Sequence, residues 1–255
     1  MTVLLSIIIG ILAGILGAIL GIGGGVIMLP MSGLLLGFEP AVAVGTTLFA
    51  VFFTAVSGAY GHYKNGNVRI KDGLLIGAGG VIGLLPASWL FKHYLSTDTE
   101  LLEALLGLLF LFFTFRMAAD LVKEWQGKSD PRGEIAQQQY NYIKPVLLGS
   151  ITGAFSGILG IGGGFIMVPG LLLLIGSTPI QAVGTSLFAM IAISGIGGLI
   201  KLNQGFVVLP VGILLGAGTI IGAQIGVRIS NRIRPVIFKG LFTLLFLCLA
   251  VTYLI

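Results

Sequence analysis

The segment LGIGGGVIMLP at Leu20–Pro30 recurs as LGIGGGFIMVP at Leu159–Pro169, an offset of 139 positions (159 − 20). The same offset, without a gap, pairs AVGTTLFA at Ala43–Ala50 with AVGTSLFA at Ala182–Ala189. An ungapped internal match of this length indicates that the chain consists of two copies of one structural unit.

The composition excludes an ordinary soluble protein. Of the 255 residues, 56% are hydrophobic and 9% are charged, whereas soluble domains carry about 25% charged residues. The apolar residues form long runs, and a helix of about 20 such residues crosses a hydrocarbon core about 30 Å thick. We therefore expect an all-α polytopic membrane protein whose direct surroundings are the lipid bilayer.

Each half is predicted to contain three ordinary transmembrane helices after a longer leading segment. The predicted helices are 41–62, 73–92 and 101–121 in the first half and 180–202, 207–228 and 236–255 in the second. The leading segments, 3–37 and 144–176, are too long for one helix across the membrane without strong tilt. Each glycine costs a helix about 1 kcal/mol relative to alanine, so we expect each segment to turn back at its GIGGG as a Gly-broken helical hairpin. The two halves are assigned to residues 1–121 and 144–255, with a polar cytoplasmic linker at 122–143.

The charges of the loops indicate how the halves are oriented. Loops rich in Lys and Arg usually face the cytoplasm. The basic segment 62–72 corresponds, at the 139-residue offset, to the basic-poor segment 201–211. The basic-poor segment 91–103 likewise corresponds to the basic segment 228–239 in the second half. Opposite charge bias in equivalent loops predicts inverted-topology repeats; the alternative is eight simple helices in two parallel halves.

The glycine-rich turns are the strongest candidates for a substrate site. Unwound backbone inside a membrane is tolerated when it is buried in protein or faces a watery cavity, and the N-terminus of a helix that starts there attracts anions. Two such N-termini brought together at the centre would bind a small anion. The alternative is that these glycines serve close helix packing, as small-xxx-small patterns usually do. The candidate residues are Gly23, Gly24 and Gly25 in the first copy and Gly162, Gly163 and Gly164 in the second.

Further polar residues recur in or near the predicted helices. Hydroxyl groups in the repeated Gly-Thr-Thr and Gly-Thr-Ser motifs can donate to a substrate or bond another helix; they belong to Thr46, Thr47, Thr185 and Ser186. His62 and Lys201 are equivalent positions at the end of the same repeated helix, and Gln224 lies in an apolar run. We regard these three as pathway candidates, with interfacial or helix–helix contacts as the alternative.

The same inspection disfavours several other functions. The predicted membrane segments contain no cluster of His, Asp, Glu and Cys, which a membrane-embedded enzyme or a metal site requires. The single cysteine, Cys248, lies in an apolar run and makes a thiolate metal site improbable. The net charge of +5 belongs to short loops and does not indicate nucleic acid. We therefore expect no cofactor, no metal and no nucleic-acid partner.

The duplicated Gly-x-Gly-Gly-Gly-x-x-x-x-Pro motif followed by Gly-Thr-[Ser/Thr] resembles the TauE/SafE (TSUP) family of sulfite and organosulfur-anion exporters. The motifs are Gly21–Pro30 with Gly45–Thr47, and Gly160–Pro169 with Gly184–Ser186. The resemblance implies a transporter of a small anion, such as sulfite, thiosulfate or sulfoacetate, in the cytoplasmic membrane of a prokaryote. Transport would proceed by alternating access around a central site. The alternatives are a passive anion channel and a non-transport assembly factor, and homo-oligomer formation is left open.

Overall fold

The computed structural model describes residues 2–96, 99–125 and 142–230, together with positions 243, 244, 247, 250 and 251. Within these residues the chain forms α-helices and one π-helical turn, Phe91–Leu95, and no β-strand. The helices are α1 (Thr2–Leu20), α2 (Gly25–Leu36), α3 (Pro40–Lys64), α4 (Ile70–Leu90), α5 (Thr99–Trp125), α6 (Ile143–Leu159), α7 (Gly164–Leu174), α8 (Pro179–Asn203) and α9 (Leu209–Ser230). The helix predicted at 236–255, apart from these five positions, and residues 126–141 of the predicted linker lie outside the described residues.

The expected all-α polytopic architecture is confirmed. Within the described part of the chain, five helices are long and apolar enough to cross a membrane: Thr2–Leu20, Pro40–Lys64, Ile70–Leu95, Pro179–Asn203 and Leu209–Ser230. The two central ones, α3 and α8, each begin at a proline that follows a turn. Proline is favoured at the first helical position because its missing N–H has no partner there in any case.

Both leading segments break at the predicted glycines. The helix α1 ends at Leu20 and α2 begins at Gly25, while α6 ends at Leu159 and α7 begins at Gly164. In the first break, Gly23 and Gly24 have φ angles of 74° and 75°. A side chain at such angles is strained, so the left-handed backbone of this turn requires glycine.

Glycines on the outer helices bring the two halves into backbone contact. A Cβ atom at Gly10 of α1 would lie 3.1 Å from Cα of Gly218 on α9. At Gly149 of α6, the equivalent of Gly10 (10 + 139 = 149), a Cβ atom would lie 2.9 Å from the nitrogen of Gly80 on α4, one residue from the equivalent of Gly218 (218 − 139 = 79). The pairs α1–α9 and α6–α4 therefore pack in the same way, with the roles of the two halves exchanged, as small-residue contacts between membrane helices allow.

The central helices α3 and α8 run antiparallel. Gly58 of α3 faces Leu187 of α8, whereas Leu48, earlier in α3, faces Gly197, later in α8. Because α3 and α8 are equivalent in the repeat, their opposite directions are the arrangement that an inverted repeat requires. The contacts support that prediction; the direction of each helix relative to the cytoplasm remains a prediction from the loop charges.

The glycine break lets the chain turn back after α1, so that α1 and α3 run in the same direction. Helix α9 runs parallel to α1, since Gly10 meets Gly218 and Gly14 meets Thr219 and Ala223. It also runs parallel to α3, whose Phe49 and Phe53 face Gly212 and Gly216. Helices α1 and α3 therefore point the same way, and the short α2 returns the chain between them.

We predict that Gly83→Ala lowers the stability of the folded protein and that Gly77→Ala does not. A methyl group at Gly83 would overlap the backbone of Ser150, whereas at Gly77 it would meet its nearest neighbour, the carbonyl oxygen of Ala189, at 3.4 Å. Overpacking costs about 1–3 kcal/mol, while Gly→Ala without a clash gains up to about 1 kcal/mol in a helix. Thermal unfolding of both variants in detergent measures the difference, and equal midpoints would contradict the packing described here.

Candidate functional site

The two glycine turns contact each other at the centre of the molecule. A Cβ atom at Gly25 would meet the carbonyl of Ile161, and one at Gly164 would meet the carbonyl of Gly21. All six predicted glycines, Gly23–Gly25 and Gly162–Gly164, are buried. The structure therefore brings the two glycine motifs together, as expected, and packs them tightly against each other. Anion binding by these glycines remains a prediction.

Two apolar side chains fill the space between the turns. A Cβ atom at Gly23 or Gly162 would lie 3.0 Å or 2.7 Å from Cγ1 of Val51, and both would also touch Cε of Met190. Val51 and Met190 are equivalent positions (51 + 139 = 190) near the middle of α3 and α8. The approximate two-fold relation between the halves therefore passes close to this pair, whose side chains lie against both turns.

The short helices start in the turns without a side-chain cap. Gly24 and Gly163 are the N-cap residues of α2 and α7, and neither helix receives a side-chain hydrogen bond at its start. The N–H of Gly23 donates to the carbonyl of Gly17 at 3.3 Å, which uses one donor of the turn. The first N–H groups of a helix have no partner within the helix, so two buried helix starts with their positive dipole ends lie at the contact between the halves.

The threonines of the repeated motifs hold loops of the opposite half. Thr46 Oγ1 accepts a hydrogen bond from the N–H of Val208 at 3.0 Å, and Thr185 Oγ1 accepts one from the N–H of Arg69 at 3.0 Å. Each bond fixes the residue that precedes α9 or α4. The hydroxyl acceptors of Thr46 and Thr185 are therefore occupied by structural bonds that are equivalent in the two halves.

The next residues in the motifs lie closer to the turns. Ser186 Oγ shares its proton between the carbonyls of Gly21, at 2.6 Å, and Val183, at 2.9 Å. The equivalent Thr47 Oγ1 is buried and has no hydrogen-bond partner among the described residues. Ser186 thus binds the first glycine turn directly, whereas the hydroxyl of Thr47 is available to another group.

The pathway candidates His62 and Lys201 lie at opposite ends of the bundle, because α3 and α8 are antiparallel. Both are fully buried. His62 Nε2 lies 3.0 Å from the carbonyl of Ala18 and donates to it. Lys201 Nζ has no hydrogen-bond partner within the described chain and lies over the ring of Phe91.

Gln224 serves a helix–helix contact. Its Nε2 donates to the carbonyl of Ser57 at 2.8 Å and lies 3.0 Å from Ser57 Oγ. The bond joins α9 to α3, which was the alternative interpretation of this residue. Within the residues that the structure describes, no group of three or more His, Cys, Asp or Glu could hold a metal ion.

Sequence inspection did not identify Val51 and Met190 as central residues, nor Arg69 as a contact between the halves. Arg69 Nε lies 2.7 Å from Asp72 Oδ2, and its Nη1 donates to Ser177 Oγ at 3.1 Å. Val51 and Met190 lie in apolar runs, where no local pattern distinguishes them from other core residues. The 139-residue offset could have paired them, but only the packing of the turns shows that they occupy the centre.

Comparisons with known proteins agree with this architecture. A family model described as sulfite exporter TauE/SafE matches residues 6–253. The chain is 31% identical over 230 residues to the probable membrane transporter protein YdhB of Bacillus subtilis (strain 168), covering 86% of each chain. It is 28% identical over 229 residues to a probable membrane transporter protein of Methanocaldococcus jannaschii, covering 84% of this chain and 81% of the relative. No solved structure matches the chain.

We predict that Thr185→Val destabilises the protein and that Thr47→Val does not. Valine has nearly the shape of threonine, so each change removes a hydroxyl without leaving a large cavity. At position 185 it leaves the N–H of Arg69 without its acceptor, which costs about 1–3 kcal/mol. At position 47 it removes a buried hydroxyl that has no described partner, so stability should be unchanged or higher. Thermal unfolding of both variants tests this, and a larger loss in Thr47→Val would be the opposite of the expected order.

Proposed function

The chain belongs to the sulfite exporter TauE/SafE family and is a membrane transporter, and we propose that it carries a small anion, sulfite or an organosulfonate, across the cell membrane. Transport would proceed by alternating access around the contact between the two glycine turns. The observation that carries this proposal is the meeting of two uncapped, buried helix starts, one from each half, opposite the middle of α3 and α8.

A small anion suits this centre for two physical reasons. Backbone N–H groups at helix starts provide donors and a positive partial charge without the cost of burying a cation. The glycines also leave no side chain between the backbone and a ligand, so an anion can approach the donors closely. Gly24, Gly25 and Gly162–Gly164 would supply these donors, while Gly23, whose N–H is bonded to Gly17, would contribute its open backbone. The hydroxyl of Thr47, which has no described partner, would add one more donor. Thr46, Thr185 and Ser186 would act mainly by holding the surrounding backbone.

The packed centre favours a carrier over an open channel. Val51 Cγ1 and Met190 Cε lie against Gly23 and Gly162, so side chains occupy the space next to both turns. An anion that reaches the N–H groups must displace these side chains as the halves move relative to each other. Methionine suits such a position because its unbranched side chain changes conformation at low cost.

The two ends of the bundle are closed by different chemistry. At the end that holds His62, Arg69 joins Asp72 and Ser177, and thereby connects α4 to the loop before α8. At the opposite end the equivalent positions are Val208, Val211 and Phe38, which pack in an apolar cluster. We propose that these two contacts close the pathway alternately, the polar one on the cytoplasmic side that the loop charges predict.

The proposal predicts saturable anion uptake by the purified protein in liposomes. The assay would compare sulfite, thiosulfate and sulfoacetate with chloride and with a neutral solute, using protein-free liposomes as the control. We expect saturable flux of at least one sulfur anion, because a carrier binds its substrate before each conformational change. Flux that rises linearly with concentration would indicate a channel. Absence of flux for every sulfur anion, with protein shown to be folded, would refute the proposed substrate class.

A further inference from the structure

Lys201 is a buried lysine in the part of α8 that leads to the end of the bundle opposite His62. Its side chain is fully buried, and its Nζ lies 3.0 Å from the ring centroid of Phe91 and 5.9 Å from that of Phe206. Among the described residues it has neither an ion-pair partner nor a hydrogen-bond acceptor. The aromatic ring offsets part of the desolvation of the ammonium group, but it satisfies none of the N–H donors as a hydrogen-bond acceptor would.

Two other buried polar groups without described partners lie within one helical turn of Lys201 or of its contact residue Phe91. Gln204, one turn after Lys201, donates from Nε2 to the carbonyl of Ser88 at 3.3 Å, which joins the end of α8 to α4. Ser88 lies one turn before Phe91, the residue that contacts the ammonium group. Ser88 Oγ and Gln204 Oε1 are both buried without a partner in the described chain. The ends of α4 and α8 therefore place a cation, a hydroxyl and an amide oxygen in one neighbourhood.

Helix α6 closes this neighbourhood from a third side. A Cβ atom at Gly157 would lie 3.1 Å from the nitrogen of Ser88. The preceding residue, Ser156, also has a buried hydroxyl without a described partner. Buried polar atoms are satisfied in the great majority of native structures, and those that are not call for an explanation such as a missing ligand.

The equivalent place in the other half is built differently. His62 replaces Lys201 and bonds the carbonyl of Ala18, while Val227 and Asn65 stand where Ser88 and Gln204 stand. The other end also holds a buried polar atom without a described partner, His62 Nδ1, but Val227 has no polar side-chain atom and Asn65 is exposed. The combination of Lys201, Ser88 and Gln204 is therefore found at one end of the molecule. Helix packing common to both halves does not explain it, because the equivalent helices pack without it.

We infer that Lys201, Ser88 and Gln204 form a second anion subsite, between the central turns and the end of the pathway opposite His62. This inference rests on the proposed function and assigns a ligand chemistry to one end of its path. The Lys201 ammonium and the Ser88 hydroxyl donate to oxyanion oxygens, and Gln204 Oε1 accepts from a ligand that carries its own proton. Hydrogensulfite combines a single negative charge with such a proton, whereas thiosulfate and sulfoacetate at neutral pH do not.

The test compares sulfite binding by the wild type, Lys201→Met and Ser88→Ala, measured as the shift of the thermal unfolding midpoint with sodium sulfite at pH 7. Lys64→Met is the matched control, since it removes the same charge from an exposed lysine. We expect Lys201→Met to bind sulfite at least about tenfold more weakly, as loss of a charge-assisted hydrogen bond does, and Ser88→Ala to bind it more weakly by a smaller factor. Lys64→Met should bind as the wild type does.

The unfolding midpoint without sulfite separates a ligand site from a structural lysine. If Lys201 serves a ligand, methionine removes an unpaired buried charge, and the midpoint of Lys201→Met should equal or exceed that of the wild type. A lower midpoint combined with unchanged sulfite affinity in Ser88→Ala would overturn the subsite. Wild-type sulfite affinity in Lys201→Met would overturn it as well.

The same measurements distinguish this inference from the proposed function. A wild type that transports a sulfur anion, together with a Lys201→Met variant that binds sulfite normally, would refute only the subsite. A wild type that is neither stabilised by sulfite nor transports any of the sulfur anions would refute the proposed function, and the subsite with it.

Discussion

Main-chain N–H and C=O groups cannot remain unpaired in a hydrocarbon environment, and this constraint governs the structure around its two breaks. Each GIGGG turn interrupts a helix inside the membrane protein, so its backbone must be enclosed. The enclosure comes from the opposite half: Gly25 lies against Ile161, Gly164 lies against Gly21, and Ser186 donates to the carbonyl of Gly21. The two halves therefore depend on each other at the turns. A movement that separates them exposes N–H donors that an anion can satisfy.

The two halves share the contacts that hold the helix bundle together, and they differ at the two ends of the bundle. Backbone contacts through glycine, the threonine bonds to the loops and the Val51–Met190 pair occur in matched positions. The ends do not match: Arg69 bonds Asp72 and Ser177 at one end, and Lys201, without a described partner, lies toward the other. In the proposed alternating-access mechanism, the symmetric framework would give two arrangements of similar energy, and the unequal ends would give each arrangement its own chemistry.

Sequence periodicity and repetition predicted most of the framework. The breaks at Gly21–Gly25 and Gly160–Gly164 and the lengths of α3 and α8 follow from glycine content and apolar runs, because a membrane segment has few alternatives to helix. The site was less predictable. Thr46 and Thr47 are adjacent and chemically identical, yet one caps a loop and the other has no described partner, and only the tertiary contacts distinguish them. The central positions of Val51 and Met190 were not predicted, because a run of apolar residues does not show which of them will pack between the glycine turns.

The central claim is that the contact between the turns opens to each side of the membrane in turn. Cysteine accessibility tests it most directly: Val51→Cys is introduced after replacement of the single native cysteine, Cys248, by serine. The variant is then treated with a membrane-impermeant thiol reagent in vesicles of either orientation, with and without sulfite. Alternating access predicts labelling from both sides, with sulfite changing the two rates in opposite directions as it shifts the population between the two states. A transport-competent variant whose residue 51 is labelled from neither side, or at rates that sulfite does not change, would contradict the account.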